Sequence, residues 1–276
     1  MITIQQALKM AQTSFVDTSD TPALDAELLL AHILNCERAF LHTWPERNIA
    51  ELDYQHYQTI CAQRAAGMPV AYLLGQQGFW KFNLQVTPDV LIPRPETELL
   101  VEVVLNLLTT PTATVADLGT GSGAIAIALA HERPMWQITA TDKSVNALAI
   151  AKENAKNLNI HSITWLESDW FSALNKQQFN LIVSNPPYIA PEDPHLVALG
   201  YEPRSALIAE KYGIADLETI IQAAPKHLLP QGYLVVEHGY QQAEIVQEML
   251  LTAGFKGIST QLDLANHPRA TWGQWC

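Results

Sequence analysis

The sequence predicts an α/β protein in which helices cover both faces of a largely parallel sheet, with a small all-helical region in front of it. Three observations lead to this prediction. From Glu96 onward, segments with the length of strands alternate with segments of helical periodicity, whereas the chain before Gly67 shows helical periodicity only. In addition, the strand-like segments 115–118 and 181–183 are mostly apolar at consecutive positions, which is typical of parallel strands buried on both faces.

Composition restricts the class of protein further. Of 276 residues, 48% are hydrophobic and 16% are charged, which excludes a disordered chain. The formal net charge of −12 makes the chain a poor non-specific binder of nucleic acid or anionic lipid. Cys36, Cys61 and Cys276 are widely spaced and suggest neither a disulfide framework nor a zinc site. We see no signal peptide and no bilayer-spanning apolar stretch, so we expect a cytoplasmic protein without membrane contact.

The N-terminal region is expected to be a small helical bundle followed by a structured connector. Apolar residues at helical spacing predict helices at 4–15, 22–34 and 50–66. Closely spaced prolines and glycines then mark 74–94 as a connector rather than the interior of an element. Within it, 79–82 and 84–87 predict two short strands joined by a turn.

The remainder of the chain alternates strands and helices. The predicted strands are 114–118, 137–141, 163–166, 180–183 and 233–237. The predicted helices are 97–108, 124–131, 144–157, 217–229 and 241–253. Two last strands, 258–262 and 271–275, have no long helix between them, which indicates an antiparallel pair that closes the sheet.

Three glycines directly follow the first predicted strand of the sheet. Gly119, Gly121 and Gly123 predict a tight turn into a helix, because glycine permits positive φ and a close approach of the backbone to a ligand. Asp142, after the next strand, is placed to accept both hydroxyls of a ribose. This pattern suits NAD as well as S-adenosylmethionine (SAM). Asp117 favours SAM, because a carboxylate before the glycines would meet the methionine ammonium but repel a pyrophosphate.

The segment FNLIVSNPPYI at 179–189 decides between these ligands. An apolar strand runs into a loop that two prolines stiffen, and the carbonyl of Pro186 is free to accept a hydrogen bond. Asn185 offers a second acceptor in its side chain, and Tyr188 offers a flat ring. Two acceptors and a ring suit a planar –NH2 group, so the loop predicts methylation of an amide or exocyclic amine.

The third strand of the sheet also ends near polar residues, in the sequence ESDW. By position, Asp169 is placed to bond the amino group of an adenine, and Trp170 is placed beside its ring. An aspartate after a strand is, as often, simply a turn residue.

Together, DLGTGSG, the aspartate of TATD, SDW and SNPPYI resemble a class I SAM-dependent methyltransferase that acts on amino groups. The stretch GFWKFNLQVTPDVLIPRPETELLVE, with PVAYLLG before it and YEPRSAL after the NPPY loop, resembles the peptide chain release factor glutamine N5-methyltransferase family (PrmC/HemK). The likeness runs nearly from end to end. It implies a helical substrate-docking domain at 1–74, a connector hairpin at 75–94 and a Rossmann-like, seven-stranded SAM-dependent methyltransferase domain at 95–276.

The resemblance also implies roles for individual residues. The SAM-binding residues would be Gly119, Thr120, Gly121, Ser122, Gly123, Asp142, Asp169, Trp170 and Asn185. The residues that bind the substrate glutamine would be Asn185, Pro186, Pro187 and Tyr188. That glutamine would belong to the Gly-Gly-Gln motif of class I release factors, and S-adenosylhomocysteine would be the second product.

We expect direct transfer of the methyl group without a metal. The carbonyls of Asn185 and Pro186 would be the catalytic groups, because they pull on the two N–H bonds as charge develops on nitrogen. No general base is evident. His195 and His238 lie near strand ends, where lone histidines are more often structural or solvated.

Other functions share parts of this pattern. An adenine-N6 methyltransferase also needs an NPPY loop, but its nucleic acid does not suit a chain without a basic half. A glutamine methyltransferase of a ribosomal protein would have the same chemistry and a different docking surface. An NAD-dependent oxidoreductase does not explain NPPY, and a non-catalytic SAM-binding module does not explain Asn185. We therefore expect a monomer whose partners are class I release factors, without direct contact to nucleic acid.

Overall fold

A computed structural model describes residues 2–276 of the chain. The chain forms two compact units, and the division falls between Gln76 and Gln77. Within residues 2–276, no helix is both long enough and apolar enough to cross a membrane.

The first unit is built from helices. These are α1 (Ile4–Ser14), α2 (Pro22–Ile33), α3 (Arg38–Thr43), α4 (Glu51–Ala65) and α5 (Val70–Leu74). The hydroxyl of Thr3 accepts the backbone N–H of Gln6, and the Gln6 side chain accepts the N–H of Thr3, so α1 begins with a reciprocal cap. The predicted helices correspond to α1, α2 and α4. The sequence did not indicate α3 and α5, which are only one to two turns long.

A buried ion pair links α2 and α4 inside this unit. Nε of Arg64 lies 2.8 Å from Oδ2 of Asp25, and both side chains are about one-tenth exposed. The guanidinium also donates to the carbonyl of Thr18 at 2.7 Å. The hydroxyl of Ser19 donates to the same carboxylate at 2.7 Å, so neither charge is left without partners in the apolar interior.

The connector forms a β-hairpin, as predicted, but at shifted positions. Its strands are β1 (Gln76–Phe79) and β2 (Phe82–Gln85), where the sequence predicted 79–82 and 84–87. The turn falls on Trp80, which adopts a left-handed φ of 55°. The backbone N–H of Trp80 donates to the Glu98 carboxylate at 2.7 Å, which holds this turn without a glycine.

Seven strands form the central sheet. They are β3 (Thr114–Leu118), β4 (Gln137–Asp142), β5 (Ile163–Glu167), β6 (Phe179–Ser184), β7 (Leu228–Glu237), β8 (Lys256–Leu262) and β9 (Pro268–Gln274). Their order is β5-β4-β3-β6-β7-β9-β8. Strands β3 to β7 pair in parallel, and β9 is antiparallel to both β7 and β8. The predicted closing pair is thus confirmed.

Helices pack on both faces of the sheet. They are α6 (Glu98–Leu107), α7 (Ala124–Glu132), α8 (Val145–Asn157), the irregular α9 (Glu210–Gly213), α10 (Ala215–Ala223) and α11 (Ala243–Thr252). Neighbouring residues of β3 enter opposite cores, Val115 with α6 and α7, and Ala116 with α10 and α11. The two-sided burial explains why these strands are apolar at consecutive positions. The predicted fold class is therefore confirmed.

One predicted helix was wrong at its end. The sequence predicted a helix over 217–229, but α10 stops at Ala223 and a short 3-10 turn, Ala224–His227, follows. Pro225 lacks the N–H that another α-helical turn would need. Strand β7 then begins at Leu228, several residues earlier than predicted.

The ion pair of the first unit gives a stability prediction. Replacing Arg64 by Met keeps much of the side-chain volume but leaves the Asp25 carboxylate buried without its cation. We expect a loss of about 3 kcal/mol in the free energy of unfolding, measured by urea denaturation with circular dichroism. Lys156→Met is the control, because the Lys156–Glu153 pair is exposed and should contribute under about 1 kcal/mol. Equal effects of the two substitutions would contradict this account.

Candidate active site

The candidate site lies where the parallel strands end. Gly119 follows β3, Asp142 ends β4, Asp169 lies two residues after β5, and Asn185 follows β6. Because parallel strands have their carboxyl ends at one edge of the sheet, these residues meet in one cavity. Its lining includes Asp89, Val90, Leu91, Gly119, Gly121, Asp142, Lys143, Ser144, Ala147, Ser168, Asp169, Trp170, Asn185, Pro187, Pro203, Ser205 and Ala206. The order of the strands reverses beside β3, which is where open α/β sheets bind ligands.

The glycine turn after β3 has the geometry that the sequence predicted. Gly119, Gly121 and Gly123 have φ angles of 72°, 56° and 85°. A Cβ on Gly119 would lie 3.3 Å from the ring of Trp170. A Cβ on Gly123 would lie 3.1 Å from the Cβ of Ala151 on α8. The turn therefore needs glycine for its backbone conformation and also for its close packing.

Asp142 holds the glycine turn from the side. Its carboxylate accepts the N–H of Gly121 at 2.9 Å and the N–H of Ser144 at 2.8 Å. Each carboxylate oxygen has further lone pairs, and Asp142 lines the cavity. The residue can therefore bind hydroxyl groups of a ligand while it fixes the turn.

Thr120, Ser122 and Asp117 are buried behind the turn instead of lining the cavity. The Thr120 hydroxyl donates to Oδ2 of Asp117 at 2.6 Å, and the carbonyl of Ser122 accepts the side-chain amide of Asn154 at 2.9 Å. Asp117 is 1% exposed, and its Oδ1 is buried without a hydrogen-bond partner. Burial raises the pKa of Asp117 to about 7, although the Thr120 hydrogen bond opposes the shift. The expected contact of Asp117 with a methionine ammonium is not accessible in this conformation.

Trp170 forms one wall of the cavity. Its φ is 47°, and the Ser168 hydroxyl donates to its carbonyl at 2.9 Å, which stabilises this left-handed position. The indole also lies near the carboxylate of Asp216 at the start of α10 and favours its ionised form. The Asp216 pKa is raised, mainly because that carboxyl is partly buried. Asp216 was not predicted, because nothing in the sequence links it to the SDW segment.

Asn185 lies between this cavity and a second one. The second cavity is lined by Leu91, Arg94, Asn185, Pro186, Tyr188, Ile189, Leu199, Ala206 and Leu207. The amide Nδ2 of Asn185 donates to the Thr97 hydroxyl at 3.0 Å. Its carbonyl oxygen is thus the group left to accept a hydrogen bond from a ligand. The structure brings Asn185, Pro186 and Tyr188 together at the second cavity and places Pro187 on the first.

The end of the NPPY loop is fixed by its neighbours. The carbonyl of Tyr188 accepts the Gln242 side-chain amide at 3.1 Å, and Gly213 packs so closely that a Cβ would lie 2.3 Å from the same oxygen. Ile189 exchanges backbone hydrogen bonds with Leu207 and Ala209. Burial raises the pKa of the Tyr188 hydroxyl well above its usual value, so this group remains a neutral donor.

An ion pair connects the two sequence segments that border the second cavity. Arg94 of IPRPETE pairs with Glu202 of YEPRSAL, and the other oxygen of Glu202 accepts the N–H of Ile92 at 3.1 Å. Glu202 is 5% exposed. Leu91, Glu202 and the cavity-lining residue Ser205 were not predicted as site residues, although the segments that contain them carried the resemblance.

His195 and His238, the histidines that the sequence placed near strand ends, lie outside both cavities. His238 is buried, its Nε2 is 2.7 Å from the Thr271 hydroxyl, and desolvation by burial lowers its pKa. His195 is exposed, with its Nδ1 2.7 Å from the Asp193 carboxylate. Neither imidazole borders the space beside Asn185.

Known proteins resemble this chain in sequence and in fold. The family described as "Methyltransferase small domain" matches residues 95–199, and the "PrmC N-terminal domain" matches residues 6–75. Among solved structures, the hMettl16 catalytic domain superposes with a TM-score of 0.57 at 16% identity, over 83% of this chain and 84% of that one. A ribosomal protein L11 methylase from Lactobacillus delbrueckii subsp. bulgaricus gives 0.52 at 21% identity, over 72% of this chain and 90% of that one. At these identities the structures show the fold alone.

The matched methyltransferase domain and the relatives that follow together show a SAM-dependent methyltransferase. Curated relatives then show the family. A release factor glutamine methyltransferase from Pseudomonas aeruginosa is 48% identical over 277 residues, which cover 100% of this chain and 99% of the relative. One from Shewanella oneidensis is 44% identical over 274 residues, covering 99% and 96%. The chain belongs to the release factor glutamine methyltransferase family.

The packing of Gly119 against Trp170 predicts a binding defect. Gly119→Ala would place a methyl group at 3.3 Å from the indole, in a left-handed backbone. We expect SAM affinity, measured by titration calorimetry, to fall about tenfold or more, because relief of the backbone strain, about 1–2 kcal/mol, and of the contact with Trp170 would displace the turn that lines the cavity. The control is Gly257→Ala, where φ is 58° but a Cβ meets nothing within 4 Å. A similar loss of SAM affinity in the control would show that strain acts through general stability.

The buried Asp117 predicts a pH dependence of stability. The pKa of Asp117 in the folded state, about 7, lies above the ordinary carboxyl value of 3.8, so the folded state binds this proton more tightly. The resulting stabilisation is complete below the unfolded pKa and is lost as pH rises through about 7. We expect the wild-type melting temperature to fall between pH 5 and pH 8 by at least about 4 °C more than that of Asp117→Asn. Parallel curves from calorimetry would contradict the assignment.

Proposed function

We propose that this enzyme transfers the methyl group of SAM to the side-chain amide nitrogen of the glutamine in the Gly-Gly-Gln motif of class I release factors. The observation that carries the proposal is the position of Asn185, which borders both cavities and keeps its carbonyl oxygen available. The names of the full-length relatives support the release factor as the protein substrate.

The first cavity fits SAM in three respects. The glycine turn leaves room for a ligand at the end of β3. The Asp142 carboxylate suits ribose hydroxyls, and Asp169 with Trp170 suits an adenine. We propose these residues, together with Gly119, Gly121 and the adjoining Thr120, Ser122 and Gly123, as the SAM site. Thr120 and Ser122 would contribute through the backbone and the shape of the turn, because their side chains are buried.

The second cavity suits the substrate amide. Leu91, Leu199 and Leu207 provide an apolar lining that excludes water, and Tyr188 adds an aromatic side chain. The two carbonyls, of the Asn185 side chain and the Pro186 backbone, would each accept one hydrogen of the –NH2 group. Holding that group in one orientation places the nitrogen toward the first cavity, which Asn185 also borders.

The chemistry then needs little from acid or base catalysis. When bound, SAM supplies a methyl group that its sulfonium already activates. The nitrogen of an amide is weakly nucleophilic, because its lone pair is delocalised into the carbonyl. Acceptance of both N–H hydrogens by Asn185 and Pro186 raises electron density on nitrogen and stabilises the positive charge that develops there as the bond from nitrogen to the methyl carbon replaces the bond from sulfur. The methylated nitrogen would then lose one of its two protons, which passes to water on product release. We propose that the reaction needs no metal.

For the partner, we propose a class I release factor bound by a monomeric enzyme without direct contact to nucleic acid. The net charge of −12 suits a basic protein partner through electrostatic attraction. We propose residues 1–74 as its docking domain. The position of the matched "PrmC N-terminal domain", residues 6–75, supports this assignment.

A methyl-transfer assay tests the function directly. Wild-type enzyme is given SAM with a release factor, a ribosomal protein or a DNA duplex, and peptide mass spectrometry locates the added methyl. We expect one methyl on the Gly-Gly-Gln glutamine only. Methyl groups solely on the ribosomal protein or on adenine would overturn the proposed substrate, although they would still support methylation of an amide or amine in this pocket.

Asn185→Ala tests the carbonyl. We expect turnover to fall by about 10² or more, the size of the loss when one group that stabilises developing charge is removed. SAM affinity should change little. Asn157→Ala, at the exposed end of α8, is the matched control and should retain full activity. Full turnover in Asn185→Ala would exclude the proposed role of this side chain.

A further inference from the structure

Behind Asn185, a chain of buried hydrogen bonds leads away from the substrate cavity. Nδ2 of Asn185 donates to Oγ1 of Thr97 at 3.0 Å, and the Thr97 hydroxyl donates to Oε2 of Glu237 at 2.8 Å. Thr97 ends the short 3-10 helix Pro95–Thr97, and Glu237 is the last residue of β7. Their exposures are 5% and 1%, so water does not readily replace either partner.

The Glu237 carboxylate, at the far end of this series of hydrogen bonds, determines which group donates in each of them. A carboxylate is only an acceptor, so Glu237 requires the single hydroxyl proton of Thr97. Thr97 can then offer only lone pairs to Asn185, which must present its –NH2 group to them. If the Asn185 amide were rotated by half a turn, its oxygen would face the Thr97 oxygen, with no hydrogen between two buried acceptors.

We propose that Thr97 and Glu237 are positioning residues that keep the carbonyl oxygen of Asn185 directed at the substrate, so that the site selects an amide over a carboxylate. The inference rests on the proposed function, because it assumes that Asn185 accepts a hydrogen from the substrate –NH2 group. A glutamine side chain offers that hydrogen, whereas a glutamate would bring a carboxylate against the carbonyls of Asn185 and Pro186.

The same carboxylate holds the other end of the NPPY loop. The hydroxyl of Tyr188 donates to Oε1 of Glu237 at 3.3 Å. Each oxygen of Glu237 therefore supports one side chain of the substrate cavity, Asn185 through Thr97 and Tyr188 directly. Glu237, at the end of β7, thus holds in place both Asn185 and Tyr188, the acceptor and the aromatic ring that the amide would contact.

The donor and acceptor roles in these hydrogen bonds require that Glu237 is ionised. Burial is the largest influence on Glu237 and raises its pKa to about 7, while the hydrogen bonds from Thr97 and Tyr188 oppose the shift. Of the charged groups that act on it, Arg269 on β9 favours the ionised form and Glu96, before Thr97, opposes it. A protonated Glu237 could donate to Thr97, whose own proton would then turn to Asn185 and permit the reversed amide.

Thr97→Val tests the inference, because valine keeps the shape of threonine and removes the hydroxyl. Thr97→Ser keeps the hydroxyl and should restore wild-type behaviour. Thr271→Val is the matched control: Thr271 is equally buried, and its hydroxyl bonds His238 and Thr260 without contact to Asn185. The measurements are kcat and KM with a release factor, SAM affinity, and inhibition by a release factor with glutamate in the Gly-Gly-Gln position.

We expect Thr97→Val to lower kcat about tenfold, the effect of one lost hydrogen bond, with SAM affinity unchanged. The preference for the glutamine over the glutamate factor is expressed as the ratio of the inhibition constant to KM. This ratio should fall by a similar factor. In wild type, kcat should fall as pH drops through about 7, the pKa of Glu237. That decline should be smaller in Thr97→Val, since Asn185 is already released there.

Two results would overturn the inference. The first is an unchanged glutamine-to-glutamate preference in Thr97→Val. The second is an equal loss of preference in Thr271→Val, which would assign the effect to general destabilisation. Failure of the proposed function is distinguishable, because wild-type enzyme would then not methylate the release factor at all.

Discussion

The parallel pairing of β3 with β4 on one side and β6 on the other is the constraint on which the site depends. It brings the glycine turn, Asp142 and Asn185 to one edge of the sheet, although β6 is far from the other two in sequence. The pairing is stable because β3 is buried on both faces, with alternate residues in separate apolar cores. At the end of these strands, the Ser184 hydroxyl donates to the carbonyl of Leu118 at 2.7 Å. This bond links the start of the NPPY loop to the start of the glycine turn.

Two carboxyl groups are buried at this same edge, Asp117 at the end of β3 and Glu237 at the end of β7. Burial raises the pKa of both, so each reduces stability when it is ionised. A sheet optimised for stability alone would place apolar residues there. Asp117 accepts the Thr120 hydroxyl of the glycine turn, and Glu237 accepts the hydroxyls of Thr97 and Tyr188, so each buried carboxyl supports a loop that borders a cavity.

The sequence predicted the parts of the site that follow strands directly, because strand ends and glycine or proline turns are local signals. Gly119, Asp142, Trp170 and Asn185 belong to this group. It did not predict Thr97 with Glu237, whose contact spans 140 positions and depends on the place of β7 in the sheet. The hairpin strands were shifted for a different reason: Trp80 forms the turn in a left-handed conformation that a tryptophan gives no reason to expect.

The recognition of an amide raises a problem that a cavity of the right shape does not solve. Glutamine and glutamate side chains have almost the same size, so a site distinguishes them by the polarity of its hydrogen bonds. An asparagine side chain does not distinguish them by itself, because half a turn about its last bond exchanges the acceptor oxygen for the donor nitrogen. Selectivity therefore depends on what lies behind the asparagine. Here a hydroxyl and a buried carboxylate leave Asn185 only one favourable orientation. Under the proposed function, amide recognition would therefore be a property of the whole series of hydrogen bonds.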